Sequence, residues 1–230
     1  MKTIGLLGGM SWESTLTYYQ EINQGIKGRL GGLHSAQIVL FSVDFDPIEK
    51  LQHRGNWDGT ASILSEAARR IEAGGADFFL ICTNTMHKVA KPVRAAVNIP
   101  LLHIADATAE VLLENKVQRV GLLGTAFTME QNFYKGRLID KYGLEVIVPD
   151  GPDRRQIHDI IYDELCLGNC KSESKAAYLK IVDKLGQKGA QGVILGCTEI
   201  GLLIDQADTD LPLYDTATIH AARAVAWALS

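Results

Sequence analysis

Residues 77–85 read DFFLICTNT, and residues 192–199 read GVILGCTE. Each stretch is a short apolar run that is followed at once by small polar residues. This pattern is typical of a strand in a parallel sheet that is buried on both faces and ends at a ligand-binding edge. When the two stretches are aligned at an offset of 114 residues, Thr83 lies opposite Cys197. We therefore expect two strand ends to bring these residues to opposite sides of one ligand.

The sequence around these two stretches repeats as well. Residues 3–9, TIGLLGG, return as residues 119–125, RVGLLGT, and residues 99–103, IPLLH, return as residues 211–215, LPLYD. Three matches in the same order predict two similar α/β halves that are related by a pseudo-twofold axis. A chain of 230 residues is long enough to form two small domains of this kind.

Apolar runs and longer amphipathic stretches alternate along the chain, which predicts parallel sheets with crossover helices. Strands are expected at residues 3–8, 37–43, 77–82, 99–103, 119–123, 144–148, 191–196 and 211–214. Helices are expected from Ser11 to about Lys27, from Asp58 to about Ala73, and at residues 86–96, 105–115, 128–141, 153–167, 172–188 and 216–229. In such sheets, ligands bind beyond the carboxyl ends of the strands.

Composition and charge exclude several classes of protein. The chain is 47% hydrophobic and 22% charged, which indicates a folded domain rather than a disordered one. A net charge of −4 without a basic run argues against nucleic acid and acidic membrane surfaces as partners. No apolar run resembles a signal peptide or a membrane span. We therefore expect a cytoplasmic protein whose four cysteines are reduced, namely Cys82, Cys166, Cys170 and Cys197.

Cys197 is the strongest candidate for a reactive group. It lies between a predicted strand and the sequence Thr198-Glu199-Ile200-Gly201. At such a position a helix dipole and free backbone N–H groups favour the thiolate. A buried structural cysteine is the alternative on position alone.

Four motifs resemble the cofactor-independent aspartate/glutamate racemases, and the resemblance extends over essentially the whole chain. The motifs are IGLLGGMS at residues 4–11, NTMH at 84–87, GLLGT at 121–125 and GCTE at 196–199. The resemblance implies two α/β domains with the active site between them and no metal or organic cofactor. It also implies a homodimer. Because the last strand and helix return to the first domain in such proteins, we expect residues 1–98 with about 207–230 in one domain, and about 99–206 in the other.

One catalytic position departs from the family pattern. In the family, two cysteines face each other across the substrate α-carbon. In this sequence Thr83 occupies the position of the first of these cysteines. Cys82 stands one residue earlier, so we expect its side chain to point to the other face and into the core. An alcohol is a much weaker acid than a thiol. By resemblance, Cys197 removes the α-proton of the L-substrate and Thr83 protonates the opposite face, giving a racemase that works much better from L than from D.

The resemblance also predicts residues that hold the substrate. Amide, hydroxyl and backbone N–H groups beside the key positions suit an α-carboxylate and its growing enolate-like charge, although helix capping explains the same residue types. Gln52 and Arg54 are candidates for the distal carboxylate of the substrate, and Glu164 is a candidate for its ammonium group or a neutral polar side chain. His87 and Glu199 either transfer protons or support the site. The predicted binding residues are Met10, Ser11, Gln52, Arg54, Asn84, Thr85, Thr125, Glu164 and Thr198.

Other functions remain open at this point. The sequence also fits three alternatives. They are a broad-specificity racemase of neutral polar amino acids, an enzyme similar to the single-cysteine arylmalonate decarboxylases, and an inactive amino-acid-binding protein. Cys166 and Cys170 lack further ligands at suitable spacing for a zinc site. The glycine-rich segment 5–9 has neither the dinucleotide nor the phosphate-loop spacing.

Overall fold

The computed structural model describes all 230 residues of the chain. They form two compact units, which are each α/β. Unit 1 comprises residues 1–104 and 220–230, and unit 2 comprises residues 105–219. The prediction of parallel sheets flanked by helices is confirmed. No helix combines the length and the apolar character that a membrane span requires.

Unit 1 contains a three-stranded parallel sheet in the order β2-β1-β3. Its elements are β1 (Ile4–Gly8), α1 (Trp12–Leu30), β2 (Ile38–Ser42), α2 (Phe45–His53), α3 (Trp57–Ala73), β3 (Phe78–Ile81), a 3₁₀ helix (Thr85–Val89) and α4 (Ala90–Ala95). Every residue of β1 and β3 is buried. This explains why both strands are apolar throughout, and it leaves their carboxyl ends as the places where polar side chains begin.

Unit 2 contains a four-stranded parallel sheet in the order β5-β4-β6-β7. Its elements are α5 (Ile104–Glu114), β4 (Arg119–Gly124), α6 (Ala126–Glu130), α7 (Asn132–Tyr142), β5 (Glu145–Ile147), α8 (Gly151–Asp163), α9 (Ser172–Gln187), β6 (Val193–Gly196), β7 (Leu213–Asp215) and α10 (Thr216–Leu229), with 3₁₀ helices at Leu165–Leu167, Thr198–Leu202 and Gln206–Asp208. The first residue of α5 and the last ten residues of α10 lie in unit 1.

The structure places the domain boundaries differently from the prediction. Residues 99–104 belong to unit 1, where Leu101 bridges Phe79 at the edge of the sheet. We expected the strand after residue 207 in the first domain, but β7 pairs with β6 in unit 2, and only residues 220–230 return to unit 1. The internal repeat gives the physical reason. Residues 99–103 and 211–215 are equivalent segments. The first lies beside β3 and the second beside β6, each in its own half.

Local sequence signals explain most helix ends. Ser11 caps α1 as predicted, and its Oγ accepts a hydrogen bond from the Ser14 N–H at 3.3 Å. The cap of α3 is Asn56 instead of Asp58, because the Asn56 side chain accepts from the Gly59 N–H at 2.9 Å. Asp58 lies in the first turn, where a carboxylate interacts favourably with the helix dipole.

Two helix predictions need correction, and one helix was missed. The helix predicted at residues 128–141 is two helices, because the extended backbone of Gln131 separates α6 from α7. The helix predicted at 153–167 ends at Asp163, where Glu164 leaves the helical conformation. Helix α2 was not predicted, although Asp44 caps it by accepting from the Asp46 N–H at 3.3 Å.

Candidate active site

Cys197 follows β6 and precedes the 3₁₀ helix Thr198–Leu202, as the sequence indicated. Its Sγ lies 2.9 Å from Oε2 of Glu199, and the thiol donates to this carboxylate. The Thr198 hydroxyl donates to the same oxygen at 2.7 Å. Glu199 is buried, with 7% of its surface exposed. The strand end of unit 2 therefore presents a thiol whose proton is directed at a buried carboxylate.

The electrostatics of Cys197 differ from the expectation of a favoured thiolate. Burial raises the pKa of the Cys197 thiol well above its ordinary value, and the charge and hydrogen bond of Glu199 raise it further. The nearby Cys166 adds a smaller contribution in the same direction. Only a short 3₁₀ helix follows Cys197, and its weak dipole does not offset these effects. The thiol is therefore protonated in the resting protein.

Thr83 follows β3 at the equivalent place in unit 1, one residue after Cys82. Cys82 is fully buried, and burial raises the pKa of its thiol. The expectation that Cys82 is a core residue is confirmed. Thr83 itself is partly buried.

His87 holds the backbone at Thr83. Its Nδ1 lies 2.8 Å from the Thr83 carbonyl oxygen, and its Nε2 accepts the Ile104 N–H at 3.2 Å. Because Nε2 is an acceptor, Nδ1 carries the proton and donates to Thr83. Both ring nitrogens are thus engaged with backbone groups. The geometry supports the second of the two roles considered for His87, namely support of the site.

Adjacent strand ends gather several of the predicted binding residues within each unit. Strands β1 and β3 pair in unit 1, so Met10 and Ser11 extend from the strand beside the one that leads to Thr83. Asn84 and Thr85 follow Thr83 directly, and both are buried. In unit 2, Gly124 is in register with Gly196. The next residues, Thr125 and Cys197, therefore leave neighbouring strands.

Three of these residues also have capping or backbone roles. Ser11 caps α1, and Thr125 caps α6 by accepting from the Thr128 N–H at 3.4 Å. Asn84 occupies the capping position of the 3₁₀ helix Thr85–Val89 without a side-chain capping bond. The capping interpretation therefore holds for Ser11 and Thr125 but not for Asn84.

The candidates for the substrate side chain lie on or near helices. Gln52 is buried in α2, whereas Arg54 is exposed at the end of the same helix and forms no ion pair. Glu164 lies at the end of α8, where its carboxylate accepts from the Ser174 hydroxyl at 2.6 Å and pairs with Lys171 at 3.2 Å. These contacts, with Ser174 the larger influence, lower the pKa of Glu164. Its carboxylate thus already has two partners within unit 2.

The contact between Cys197 and Glu199 is the feature that sequence reasoning did not identify. Glu199 was considered for proton transfer or for support of the site, but its contact with Cys197 was not predicted. The available signal was that Glu199 stands two residues after Cys197 at the end of a strand. A 3₁₀ helix starts there, and the Glu199 carboxylate lies against the sulfur of Cys197. No group of three or more His, Cys, Asp or Glu side chains is arranged to hold a metal ion.

The family described as Asp/Glu/Hydantoin racemase matches residues 7–224. The chain belongs to this family. It is similar to a candidate Asp/Glu racemase from Yersinia pestis, with 53% identity, complete coverage of both chains and a TM-score of 0.95. An aspartate racemase homologue from Pyrococcus horikoshii OT3 shares 36% identity, also over both complete chains, with a TM-score of 0.87.

Among curated proteins, this racemase is similar to the broad specificity amino-acid racemase RacX of Bacillus subtilis (strain 168). The two are 22% identical over 219 residues, which cover 93% of this chain and 92% of RacX. Family membership makes the protein an isomerase of the amino-acid racemase type that acts on small amino-acid substrates.

Proposed function

We propose that this racemase inverts the α-carbon of L-aspartate and L-glutamate without a metal or an organic cofactor. Cys197 removes the α-proton of the L-enantiomer, and the Thr83 side returns a proton to the other face. The observation that carries this proposal is the difference between the two equivalent strand ends. One carries a thiol bonded to a carboxylate, and the other carries an alcohol.

The proposed reaction removes one proton from the substrate and adds another. The Cys197 thiol first gives up its own proton, because only the thiolate can act as the base. The Cα–H bond then breaks and its proton passes to Sγ of Cys197, which restores the thiol, while the electron pair remains on the substrate as an enolate-like carbanion. The Thr83 hydroxyl then gives its proton to the opposite face and recovers one from solvent. Hydroxyl, amide and backbone N–H groups of Asn84, Thr85 and Thr198 stabilise the charge on the α-carboxylate.

Binding of an acidic side chain is supported by charge. Arg54 is exposed without an ion pair, and a guanidinium offers two parallel N–H donors to a carboxylate. We propose that Gln52 and Arg54 hold the distal carboxylate of the substrate. Met10, Ser11 and Thr125 line the remaining space, and Glu164 faces the substrate ammonium.

The test is proton NMR in D₂O, which follows loss of the α-proton from L- and D-aspartate in separate samples. Exchange from L should be fast, because the thiolate can return a deuteron to the same face without completing inversion. Exchange from D requires proton removal on the Thr83 side, so it should be slower by about 10²–10⁴-fold, the usual effect of a missing acid–base partner. Since the two enantiomers are equally stable, kcat/KM for racemisation must be equal in both directions, and the difference appears in kcat and in exchange.

Two variants make this experiment decisive. Cys197→Ala should abolish exchange from both enantiomers, whereas Cys170→Ala changes an exposed thiol in the same unit and should leave exchange intact. Equal turnover numbers and equal exchange rates from L- and D-aspartate would contradict the assigned roles. Loss of carbon dioxide from a malonate would identify a decarboxylase instead, and binding without exchange would identify an inactive binding protein.

A broader substrate range is the second candidate, supported by the similarity to RacX over nearly the whole chain. It predicts exchange from neutral polar amino acids at rates close to those from aspartate. A panel of L-amino acids in the same NMR assay separates the two candidates.

We also propose that the protein acts in the cytoplasm as a homodimer. The four cysteines are free thiols in the structure, which suits a reducing compartment. Light scattering after size-exclusion chromatography tests the dimer, and fractionation of cells tests the compartment.

A further inference from the structure

We infer that Glu199 is the residue that accepts the proton of the Cys197 thiol and returns it, so that the two side chains work as a proton-sharing pair. The contact between Sγ and Oε2 is 2.9 Å. This distance lies within the range of a short hydrogen bond to sulfur. Glu199 is 7% exposed, so solvent reaches its carboxylate poorly.

The proton transfer within the pair is balanced without a further reactant. The S–H bond of Cys197 breaks with its electron pair left on sulfur, and an O–H bond forms on Oε2 of Glu199. The number of protons on the pair stays the same. The Thr198 hydroxyl, which lies 2.7 Å from Oε2, orients the carboxylate and can rotate when that oxygen becomes protonated.

The surroundings of the thiol explain why it needs such a partner. Burial and the charge of Glu199 disfavour loss of the Cys197 proton to bulk water. Tyr178 and Cys166 also interact electrostatically with Cys197, and Asp215 interacts in the same way with Glu199. Transfer to Glu199 removes the negative charge of the carboxylate at the moment when the sulfur gains one. The thiolate therefore forms beside a neutral acid instead of beside a like charge.

The equivalent position in unit 1 has no such pair. The Thr83 hydroxyl forms no hydrogen bond with a carboxylate, and His87 is occupied by the Thr83 carbonyl and the Ile104 N–H. A base is thus generated at Cys197 alone. The use of the pair in racemisation depends on the proposed function, whereas the sharing of the proton does not.

The pair predicts a distinctive pH profile. Internal transfer conserves the protons on the pair, so thiolate supply in the wild type should change little between pH 6 and 8. In Glu199→Gln, the thiol must lose its proton to solvent, so kcat for L-aspartate should rise about tenfold per pH unit. At pH 6 it should lie about 10²-fold below the wild type, with KM changed little. Glu199→Asp should restore a flat profile, and Glu173→Gln is the exposed control in the same unit.

Alkylation by iodoacetamide tests the pair without substrate. The rate at Cys197 is followed against pH by mass spectrometry of its peptide, with the exposed Cys170 as an internal control. In the wild type, the alkylation rate of Cys197 should change little between pH 6 and 8, because internal transfer supplies the thiolate. In Glu199→Gln the rate should rise with pH, while the Cys170 profile is the same in both proteins. A flat profile that becomes steep when the carboxylate is lost is not expected from a purely structural role.

The two proposals fail in different ways. Identical alkylation profiles of Cys197 in wild type and Glu199→Gln would overturn the proton-sharing pair, whether or not the enzyme racemises aspartate. A pH-independent loss of kcat in Glu199→Gln would also overturn it. A wild-type alkylation profile that is flat and becomes steep in Glu199→Gln, in a protein that exchanges no α-proton, would support the pair and refute the racemase proposal.

Discussion

His220 should make the stability of unit 1 depend on pH between 6.5 and 3. Its ring is fully buried, with Nδ1 accepting the Tyr18 O–H at 2.8 Å and the Nε2–H donating to the Leu102 carbonyl at 2.9 Å. The ring of His87 lies 6.0 Å away, and the ring of His103 lies 4.4 Å from that of His87. Burial, followed by the charge that His87 would carry, lowers the pKa of His220 to about 3.

The sign of the effect follows from the proton balance. Above pH 6.5 the imidazole is neutral in both the folded and the unfolded chain, so it contributes no pH dependence. Below that value the unfolded chain binds a proton while the folded chain does not, until the pH reaches about 3. Each pH unit in this window reduces the free energy of unfolding by about 1.4 kcal/mol. The loss at pH 5 is therefore about 2 kcal/mol.

Urea unfolding at pH 7.5 and pH 5 measures this loss. The three tryptophans, Trp12, Trp57 and Trp227, all lie in unit 1, so their fluorescence reports on the unit that contains His220. Carboxylates whose pKa is lowered, such as Asp106, keep their charge at pH 5 and contribute little to the difference.

Comparison of variants isolates the contribution of His220. In His220→Gln the difference in unfolding free energy between the two pH values should shrink by about 2 kcal/mol, because the titrating group is gone. His34→Gln replaces an exposed histidine in the same unit and should keep the wild-type difference. The reasoning is refuted if His220→Gln retains the full pH dependence of the wild type.

Two further predictions concern stability in unit 1. Tyr18→Phe should lower the free energy of unfolding by about 1–3 kcal/mol, because it leaves the buried Nδ1 of His220 without its donor. The control is Tyr19→Phe, which changes an exposed ring. It should alter the free energy of unfolding by less than about 0.5 kcal/mol in the same urea titration. Gly28→Ala should raise the melting temperature, because a Cβ there meets nothing within 4 Å and alanine favours the helix by about 1 kcal/mol. Gly9→Ala should lower the melting temperature, because φ is +94° and a Cβ would meet neighbouring backbone. A lower melting temperature for Gly28→Ala, or a higher one for Gly9→Ala, would contradict these predictions.

The internal repeat made the fold predictable. The apolar runs that became β1, β3 and β6 are buried parallel strands, because the physical requirement, two covered faces, leaves a plain sequence pattern. The assignment of residues 207–230 to the first domain was transferred by resemblance, although the repeat of residues 99–103 as 211–215 places the second segment in its own half. Backbone pairing decided it, because the Val193 N–H donates to the Pro212 carbonyl at 2.8 Å and keeps that segment in unit 2.

The candidate site was predictable at the level of positions but not of contacts. The end of an apolar strand identified Cys197, and the alternation of side chains along a strand assigned Cys82 to the core. The partners of Glu164 and Glu199 depend on where short turns direct their side chains. Ser174 reaches Glu164 from the next helix, and no spacing in the sequence predicts that contact.

The two strand ends share a backbone plan, since each strand is followed by a 3₁₀ helix, and they differ both in the key side chain and in the residues a few places further on. At the first end, the fourth residue after Thr83 is His87, and its ring binds the Thr83 carbonyl. At the second end, the second residue after Cys197 is Glu199, and its carboxylate reaches the sulfur. A 3₁₀ helix at each end therefore directs one side chain to the preceding backbone and the other to the preceding sulfur. The proposed bias between enantiomers needs no asymmetry in the fold, because these local contacts place a carboxylate beside Cys197 and an imidazole on the backbone of Thr83.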